Sequence, residues 1–407
     1  MMTSKDFIAL EDKHGAHNYH PLPVVLSKGE GVYVWDVEGK KYFDFLSAYS
    51  AVNQGHCHPR IVKTMQEQAA TLTLTSRAFH NDVLGVYEKY VTDYFGFDKV
   101  LPMNTGAEAV ETAIKLTRKW AYEKKGIAEN EAQIIVCKNN FHGRTTTIIS
   151  FSNDEDARKN FGPFTGGFIK IDYDNLEALE EALKTDNVAG FLVEPIQGEA
   201  GVYVPSEGYL TKAKALCEKY GVLFIADEVQ TGIARTGQLL AVDHENVKPD
   251  VLILGKALSG GAYPVSAVFA NNDIMNVIKP GQHGSTFGGN PIACKVAMTA
   301  LEVVKDELLA EKSEELGQYF RSEIAKFAQE NDLVSLVRGK GLLNAIVIND
   351  TEDSSTAWDI CMKLRDNGLL AKPTHGNIIR FAPPLVMTKD ELKMCIEIIT
   401  KTISEFK

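Results

Sequence analysis

Short apolar runs alternate with stretches of helical periodicity between residues 100 and 290, and this alternation constrains the fold more than any other feature of the chain. Continuous apolar runs rich in β-branched residues are typical of strands that are buried on both faces of a sheet. The predicted strands span residues 134–137, 147–151, 190–194, 222–226, 251–254 and 265–270. The predicted helices span residues 108–124, 174–184 and 209–220. This order of elements predicts an α/β fold with a mostly parallel sheet that is covered by helices on both faces.

The chain has 407 residues, which is enough for two or three domains, and its pattern changes near residues 50 and 290. We expect residues 51–290 to form the large α/β domain. Residues 291–407 are expected to supply a long connecting helix, over residues 290–327, and a smaller α+β domain. Residues 1–50 are expected to join this smaller domain through a hairpin at residues 32–45, after about 30 polar residues that read as irregular.

Composition excludes several classes of partner. The formal net charge is −11 and the sequence pI is about 5.5, whereas nucleic acids and anionic membranes require a basic surface. No apolar run approaches the roughly 18 residues of a membrane helix. The six cysteines form no C-x-x-C pair, and the first residues contain acidic side chains and no apolar targeting segment. We therefore expect reduced thiols and a cytoplasmic protein.

A lysine and an aspartate lie at the ends of two predicted strands. Lys256 follows V-L-I-L-G at residues 251–255, and Asp227 ends V-L-F-I-A-D at residues 222–227. Parallel strands present their carboxyl ends at one edge of the sheet, where ligands bind. A desolvated lysine suits a Schiff base with an aldehyde cofactor, and an aspartate keeps a pyridine nitrogen protonated. Alone, Lys256 would be interpreted as a solvated lysine and Asp227 as a helix N-cap; together they favour pyridoxal phosphate.

Two loops rich in glycine and hydroxyl side chains precede predicted helices and are candidates for holding a phosphate. They are N-T-G-A-E at residues 104–108 and S-T-F-G-G-N at residues 285–290. The first amides of a helix attract anions, although T-G-A-E is also an ordinary N-cap sequence. The candidate phosphate contacts are Thr105, Gly106, Ala107, Ser285 and Thr286.

Two further features allow more than one interpretation. Phe141 follows the predicted strand at residues 134–137 closely enough to stack on a flat ring at the sheet edge, but it also suits core packing. His56, Cys57 and His58 suggest a metal site, yet no further ligands stand at a matching spacing. We predict no metal site here, and instead a turn before a helix that begins near Arg60.

Six motifs resemble those of the class III (ω-amino acid) aminotransferases. They are N-T-G-A-E-A at residues 104–109, F-H-G-R at 141–144, E-P-I-Q-G-E-A-G at 194–201, I-A-D-E-V-Q-T-G at 225–232, L-G-K-A-L-S-G-G at 254–261 and H-G-S-T-F-G-G-N at 283–290. The resemblance covers nearly the whole chain. It implies the type I pyridoxal-phosphate fold, with a seven-stranded sheet in the large domain.

The resemblance implies a role for each residue around the cofactor ring. Lys256 would carry the internal aldimine, and Asp227 would pair with the ring nitrogen. Gln230 would contact the ring hydroxyl, and Phe141 would stack on the ring.

The resemblance also assigns the phosphate contacts. Gly106 and Ala107 would hold the phosphate within one subunit. Thr286 would reach it from the neighbouring subunit, so the functional unit would be a homodimer with shared active sites.

Two N-terminal segments resemble the branch of this family that acts on ornithine. They are G-A-H-N-Y-H-P-L-P-V at residues 15–24 and F-D-F-L-S-A-Y-S-A-V-N-Q-G-H-C-H-P at residues 43–59. This implies L-ornithine as the amino donor and 2-oxoglutarate as the acceptor, with Tyr19 and Tyr49 holding the α-amino end of ornithine. Both tyrosines would equally suit interface packing.

Two arginines and a glutamate account for how one site would take both substrates. Arg144 and Arg380 can each bind a carboxylate through two hydrogen bonds. If both were free, the α-carboxylate of ornithine would dock at Arg380 and the wrong amine would react. The resemblance implies that Glu199 pairs with Arg380 until 2-oxoglutarate displaces it; otherwise the pair is a structural salt bridge.

The sequence is also compatible with other functions. N-acetylornithine and 4-aminobutyrate aminotransferases would use the same lysine, aspartate and carboxylate contacts. A pyridoxal-phosphate mutase or decarboxylase would share the scaffold. A non-catalytic phosphate- or nucleotide-binding α/β protein would share the fold, but it leaves the pairing of Asp227 with Lys256 unexplained.

Overall fold

The computed structural model describes residues 2–406 and contains three β-sheets. Their strands are β1 (Leu26–Glu30), β2 (Tyr33–Asp36), β3 (Lys41–Asp44), β4 (Lys99–Met103), β5 (Gln133–Cys137), β6 (Phe168–Ile171), β7 (Val188–Val193), β8 (Leu223–Asp227), β9 (Val251–Leu254), β10 (Ser266–Ala270), β11 (Val334–Lys340), β12 (Leu343–Ile348), β13 (Leu369–Leu370), β14 (Lys372–Pro373) and β15 (Ile378–Phe381).

Helices connect the strands and cover the sheets. They span Ser4–His14, Pro59–Ala69, Leu84–Phe95, Gly106–Trp120, Thr146–Phe151, Glu155–Arg158, Leu176–Leu183, Tyr209–Lys219, Asn272–Met275, Pro291–Asp306, Leu309–Glu330, Thr356–Asp366 and Lys389–Ser404. Among the described residues, no helix is both long enough and apolar enough to cross a membrane.

The largest sheet has seven strands in the order β4-β10-β9-β8-β7-β5-β6. Strands β9, β8, β7, β5 and β6 run parallel to one another, and β10 runs antiparallel to both β4 and β9. Every residue of β7, β8 and β9 is buried, because helices cover both faces of the sheet. This confirms the predicted α/β fold with its mostly parallel, seven-stranded sheet.

Two smaller sheets carry the ends of the chain. One has the order β1-β2-β3-β13, in which the N-terminal hairpin gains the C-terminal strand β13 as a parallel neighbour of β3. The other has the order β11-β12-β15-β14 and carries Arg380 on β15. The N-terminal segment therefore packs with the C-terminal part of the chain.

The structure corrects three expectations about local structure. The strand expected at residues 147–151 is the helix Thr146–Phe151, in which Thr145 accepts a hydrogen bond from the Ile148 amide as the N-cap and the apolar residues bury one helical face. The first 30 residues are not irregular, because they contain the helix Ser4–His14 and β1. The long helix expected after residue 290 is two helices, separated where Leu308 adopts a φ of 52°.

A fully buried arginine joins the large sheet to both ends of the chain. The Nε and Nη2 atoms of Arg235 donate to Asn53 Oδ1 over 3.1 and 2.6 Å, and Nη1 donates to the carbonyls of Leu342 and Pro383 over 3.0 and 2.6 Å. Burial lowers the pKa of Arg235 to about 9. The side chain therefore holds three separate segments together by hydrogen bonds to neutral oxygens.

The segment Ser47–Ser50 forms a left-handed turn of four consecutive residues that are not glycine. Their φ angles are 50° at Ser47, 46° at Ala48, 59° at Tyr49 and 70° at Ser50. A left-handed helical conformation costs L-residues roughly 1–2 kcal/mol each, because Cβ crowds the following carbonyl. The surrounding structure must therefore hold this turn in place.

Candidate functional site

Asp227 and Lys256 lie together at one edge of the large sheet, as the strand pattern predicted. Asp227 ends β8 and pairs in register with Ile253 of β9, three residues before Lys256. Both side chains line one cavity of about 180 Å³. The other predicted cofactor residues that line it are Gly106, Ala107, Phe141 and Gln230.

Lys256 begins a short 3-10 turn, Lys256–Ser259, which follows β9 after the single residue Gly255. Its φ is 45°, a left-handed conformation that is uncommon for a residue with a side chain. Burial, and then the positive charge of Arg380, lowers the pKa of Lys256 from the usual 10.5 to about 8. A large fraction of the Nζ groups is therefore neutral near pH 8 and able to act as a nucleophile or base.

The carboxylate of Asp227 is held by a buried histidine that sequence reasoning missed. His142 Nδ1 lies 2.6 Å from Asp227 Oδ2, and the Val229 amide donates to Asp227 Oδ1 over 3.0 Å. Burial opposes protonation of His142, but the hydrogen bond to Asp227 and its charge outweigh burial and raise the histidine pKa. His142 stands beside Phe141 in the F-H-G-R motif, which was the available signal.

Glu194 is a second acidic residue that sequence reasoning quoted in a motif without giving it a role. It directly follows β7, lines the same cavity and accepts a hydrogen bond from the Phe141 amide over 3.0 Å. Burial raises its pKa to about 8. Its position after a buried strand, like that of Asp227 at the end of β8, was the available signal.

The helix Gly106–Trp120 begins at the cavity wall. Gly106 and Ala107 are its first two residues, whose amides have no partner within the helix. A Cβ on Gly106 would lie 2.9 Å from Val229 Cγ1, so a larger residue there would have to displace the Val229 side chain. Such free amides at a helix N-terminus suit a phosphate.

The other three phosphate candidates do not line this cavity within the described chain. The Thr105 hydroxyl caps the helix by accepting from the Glu108 amide over 3.2 Å. Ser285 Oγ accepts from Asn104 Nδ2 over 2.8 Å, and Thr286 is exposed. Their roles as cofactor contacts therefore stay predictions.

A second cavity, of about 440 Å³, shares Phe141 with the first and is lined by Arg144 and Glu199. The guanidinium of Arg144 lies 5.7 Å from the ring centroid of Phe141. Arg144 therefore lies within one side-chain length of the predicted ring-stacking residue.

Arg380, on β15, is 2% exposed and pairs with Glu199, which lines the larger cavity. Its Nη1 atom donates to Glu199 Oε2 over 2.9 Å, to the Gly198 carbonyl over 3.1 Å and to Gln230 Oε1 over 3.3 Å. Its Nε has no hydrogen-bond partner within residues 2–406. A Cβ on Gly198 would collide with the end of the Gln230 side chain, so a larger residue there would have to displace Gln230.

The two predicted substrate tyrosines differ in their surroundings. The Tyr49 ring centroid lies 5.1 Å from the Arg380 guanidinium, and burial together with the charge of Glu199 raises the tyrosine pKa. Tyr19 is 71% exposed and close enough for its charge to affect Tyr49. Tyr49 therefore contacts the predicted carboxylate site, and Tyr19 lies outside it on the surface.

His56 and His58 each have a carboxylate partner. His56 Nε2 lies 2.7 Å from Asp44 Oδ2, and His58 Nε2 lies 2.9 Å from Glu307 Oε1. Cys57 between them is exposed. The H-C-H segment is thus the turn before the helix Pro59–Ala69.

The residues of the smaller cavity fit pyridoxal phosphate in their chemistry. A desolvated lysine, a carboxylate for the ring nitrogen, an aromatic side chain and free helix amides surround one space of suitable size. The fold and this site together define a pyridoxal-phosphate-dependent transferase.

Comparison with known proteins identifies the family. The model of the aminotransferase class-III family matches residues 14–403, and the chain belongs to this family of pyridoxal-phosphate-dependent aminotransferases. The chain is 66% identical over 400 residues to the mitochondrial ornithine aminotransferase of Drosophila ananassae, with 98% of this chain and 91% of that protein covered.

Two solved structures are also similar. The ornithine aminotransferase of Toxoplasma gondii superimposes with a TM-score of 0.98 at 51% identity, covering 100% of this chain and 96% of that one. A structure described as acetylornithine aminotransferase, from Elizabethkingia anophelis, gives a TM-score of 0.92 at 66% identity, with both chains fully covered.

Proposed function

We propose that the protein transfers the δ-amino group of L-ornithine to 2-oxoglutarate, giving glutamate 5-semialdehyde and glutamate. The observation that carries this proposal is the pairing of Arg380 with Glu199 next to Tyr49. A buried arginine whose charge is balanced by a displaceable glutamate suits an enzyme that must present opposite ends of two substrates to one reacting group.

Lys256 and Asp227 would carry the chemistry. Bound pyridoxal phosphate supplies the electron sink for the transfer, and Asp227 with His142 would keep its ring nitrogen protonated. Lys256 Nζ would take the proton from the δ-carbon of ornithine and return it later in the transfer. The lowered pKa of Lys256 supports this role, because a base must be partly neutral at the working pH.

The other cofactor contacts would fix the ring and the phosphate. Phe141 would stack on the ring and Gln230 would contact the ring hydroxyl. Gly106 and Ala107 would bind the phosphate through their amides.

The selection of the δ-amine would rest on Arg144 and the Glu199–Arg380 pair. With Arg380 neutralised, the α-carboxylate of ornithine would bind Arg144, while Tyr49 and Tyr19 hold the α-amino group. This orientation brings the distal amine to Lys256. Burial opposes ionisation of Glu199, but Arg380 and Lys256 lower its pKa, which keeps it charged and paired.

The second half of the reaction would use the same arginines differently. The α-carboxylate of 2-oxoglutarate would displace Glu199 and bind Arg380, and its distal carboxylate would bind Arg144. Arg380 Nε, which has no hydrogen-bond partner within residues 2–406, supports this step. It leaves a donor for a bidentate contact with the incoming carboxylate. Two substrates that use one site in turn predict ping-pong kinetics.

N-acetylornithine is the second candidate donor, because the Elizabethkingia anophelis structure carries that name at 66% identity. Tyr49 is the residue that discriminates, since a free α-ammonium group needs a polar partner and an acetylated one does not. A 4-aminobutyrate aminotransferase would use the same carboxylate contacts.

A panel of amino donors with product analysis tests the proposal. Ornithine, N-acetylornithine and 4-aminobutyrate are compared by kcat/KM with 2-oxoglutarate as acceptor. We expect kcat/KM for ornithine to exceed the others by about tenfold or more, because the wrong substrate leaves polar groups of the site unpaired. Preference for acetylornithine would replace the proposal with the second candidate. Absence of turnover and of any cofactor absorbance would favour a non-catalytic phosphate-binding protein.

We also propose a homodimer in which Thr286 reaches the partner's phosphate site. The support is that Thr286 is exposed, next to Phe287, whose side chain is 52% exposed. Hybrid dimers of Lys256→Ala and Thr286→Ala chains test this. Shared sites predict that one of the two sites in a hybrid keeps both residues, so mixing the two variants restores part of the activity.

A cytoplasmic location is the remaining proposal. It rests on six free cysteines, of which five are buried, since such thiols persist in a reducing compartment. Cell fractionation decides between the cytoplasm and the mitochondrion that the fly relative's name specifies.

A further inference from the structure

The left-handed turn Ser47–Ser50 lies where the proposed substrate contact Tyr49 is found. Runs of non-glycine residues in this conformation are disfavoured and persist only when their surroundings enforce them. The hydroxyls of Ser47 and Ser50 are buried without a hydrogen-bond partner within residues 2–406. The two serine hydroxyls therefore do not stabilise the turn, which closes through backbone hydrogen bonds such as that from the Ala51 amide to the Ser47 carbonyl over 2.8 Å. Side-chain contacts that stabilise it further must come from neighbouring residues.

Asp44 supplies side-chain contacts of this kind. Its Oδ1 accepts hydrogen bonds from the amides of Leu46 and Ser47 over 2.8 and 2.9 Å, at the entry to the turn. Its Oδ2 lies 2.7 Å from His56 Nε2. Asp44 is buried, so these bonds are shielded from competing water.

A backbone hydrogen bond also connects the segment before the turn to the strand that carries Arg380. The Phe45 carbonyl accepts from the amide of Ala382, two residues beyond Arg380, over 2.8 Å. The Tyr49 side chain extends from the turn, and its ring centroid lies 5.1 Å from the Arg380 guanidinium. The distance between Tyr49 and Arg380 therefore depends on the conformation of the turn Ser47–Ser50.

We propose that Asp44 is a positioning residue for amine selection, which acts by holding the left-handed turn that places Tyr49 against Arg380. This inference rests on the proposed function, in which Tyr49 holds the α-amino end of ornithine. Without Asp44 the turn relaxes, Tyr49 leaves Arg380, and the α-amine of ornithine gains access to Lys256.

Asp44→Ala and Asp44→Asn form the first matched pair. Asparagine keeps an oxygen for the two amides and a donor for His56, whereas alanine keeps neither. For Asp44→Ala we expect the ratio of α-amine to δ-amine products from ornithine to rise by about tenfold or more, and for Asp44→Asn a ratio close to wild type. A stability loss in Asp44→Ala with an unchanged ratio would overturn the proposal.

Ala48 offers a second pair in case Asp44→Ala does not fold. Ala48 is exposed and has a φ of 46°, so Ala48→Val disfavours the turn without removing a buried contact, and Ala48→Gly tolerates it. We expect Ala48→Val to raise the product ratio and Ala48→Gly to leave it unchanged. Equal ratios in the two variants would contradict the inference.

A readout that needs no substrate separates this inference from the proposed function. The protein is labelled with 3-fluorotyrosine and its fluorine NMR spectrum is recorded. The resonance of Tyr49 is the one that disappears in the Tyr49→Phe variant. The inference predicts a shifted Tyr49 resonance in Asp44→Ala and Ala48→Val but not in Asp44→Asn. An unshifted resonance rejects the role of Asp44, whereas a shifted resonance in a protein that does not accept ornithine rejects only the proposed function.

Discussion

Arg380 and Glu199 are paired at 2.9 Å but differ in their access to solvent. The arginine side chain is 3% exposed, and the glutamate side chain is 27% exposed. The guanidinium is therefore enclosed by the protein, while the carboxylate lies on the more open side, at the larger cavity. This asymmetry suits a pair that opens when another carboxylate arrives.

Glu199→Ala is expected to change which amine of ornithine reacts. The unpaired Arg380 would attract the α-carboxylate of ornithine and bring the α-amine to Lys256. We expect the fraction of α-amine product to rise by about tenfold or more, because removing one partner of a buried charge pair is worth several kcal/mol. Chromatographic analysis of the keto acid and semialdehyde products measures this. Glu207→Ala, an exposed glutamate on a nearby segment, should leave the ratio unchanged; the same ratio in both variants would show that the pair does not select the amine.

His142→Phe is expected to lower kcat about 10- to 100-fold, because a hydrogen bond to a charged group contributes about 1.5–3 kcal/mol. Phenylalanine fills the space but cannot donate to Asp227. His142→Asn keeps a donor near the position of Nδ1 and should retain more activity. Steady-state kinetics of both variants check this, and equal losses would indicate that the imidazole acts only through packing.

The lowered pKa of Lys256 predicts how the apoenzyme takes up its cofactor. The Nζ atom reacts only when neutral, so the initial rate of borohydride-trapped labelling by pyridoxal phosphate should rise with pH up to about 8 and then level off. An ordinary lysine would continue to gain reactivity up to about pH 10.4. Mass spectrometry locates the label, and Lys256→Ala should remain unlabelled at this site and inactive. A rate that keeps rising beyond pH 9 would contradict the lowered pKa.

Arg235→Met is expected to destabilise the protein by about 3 kcal/mol or more, because it leaves several buried oxygens without donors. Arg60→Met is the matched control. Arg60 pairs with Glu302 and Asp306 at the surface, where ion pairs contribute about 0–1 kcal/mol. Chemical denaturation measures the free energy of unfolding of both variants and of the wild type. Similar midpoints would show that the buried hydrogen bonds of Arg235 do not hold the three segments together.

Sequence reasoning found the residues whose position follows from strand pattern. Asp227 and Lys256 end or follow apolar runs, and the parallel sheet brings such ends to one edge. Glu194 has the same placement, but a glutamate after a strand is usually solvated, so the pattern alone did not distinguish it. His142 lies in a loop without periodicity, where spacing predicts no neighbour.

Other features depend on contacts that no local pattern encodes. Arg235 reads as a surface residue, because arginines are almost never fully buried unless paired. The turn Ser47–Ser50 contains neither glycine nor asparagine, so its left-handed conformation is imposed by Asp44 and by packing rather than by its own residues. The helix Thr146–Phe151 was mistaken for a strand because its β-branched residues favour strands when considered alone.

The pairing of β3 with β13 has a consequence for biosynthesis. The partner of Phe43 is Leu369, so the N-terminal hairpin leaves the ribosome long before the strand that completes its sheet. Nascent chains must keep this hairpin edge unpaired until translation is nearly finished, and an exposed strand edge attracts other chains. Heterologous expression should therefore gain yield from chaperones that shield the emerging N-terminus, or from slower synthesis at lower temperature.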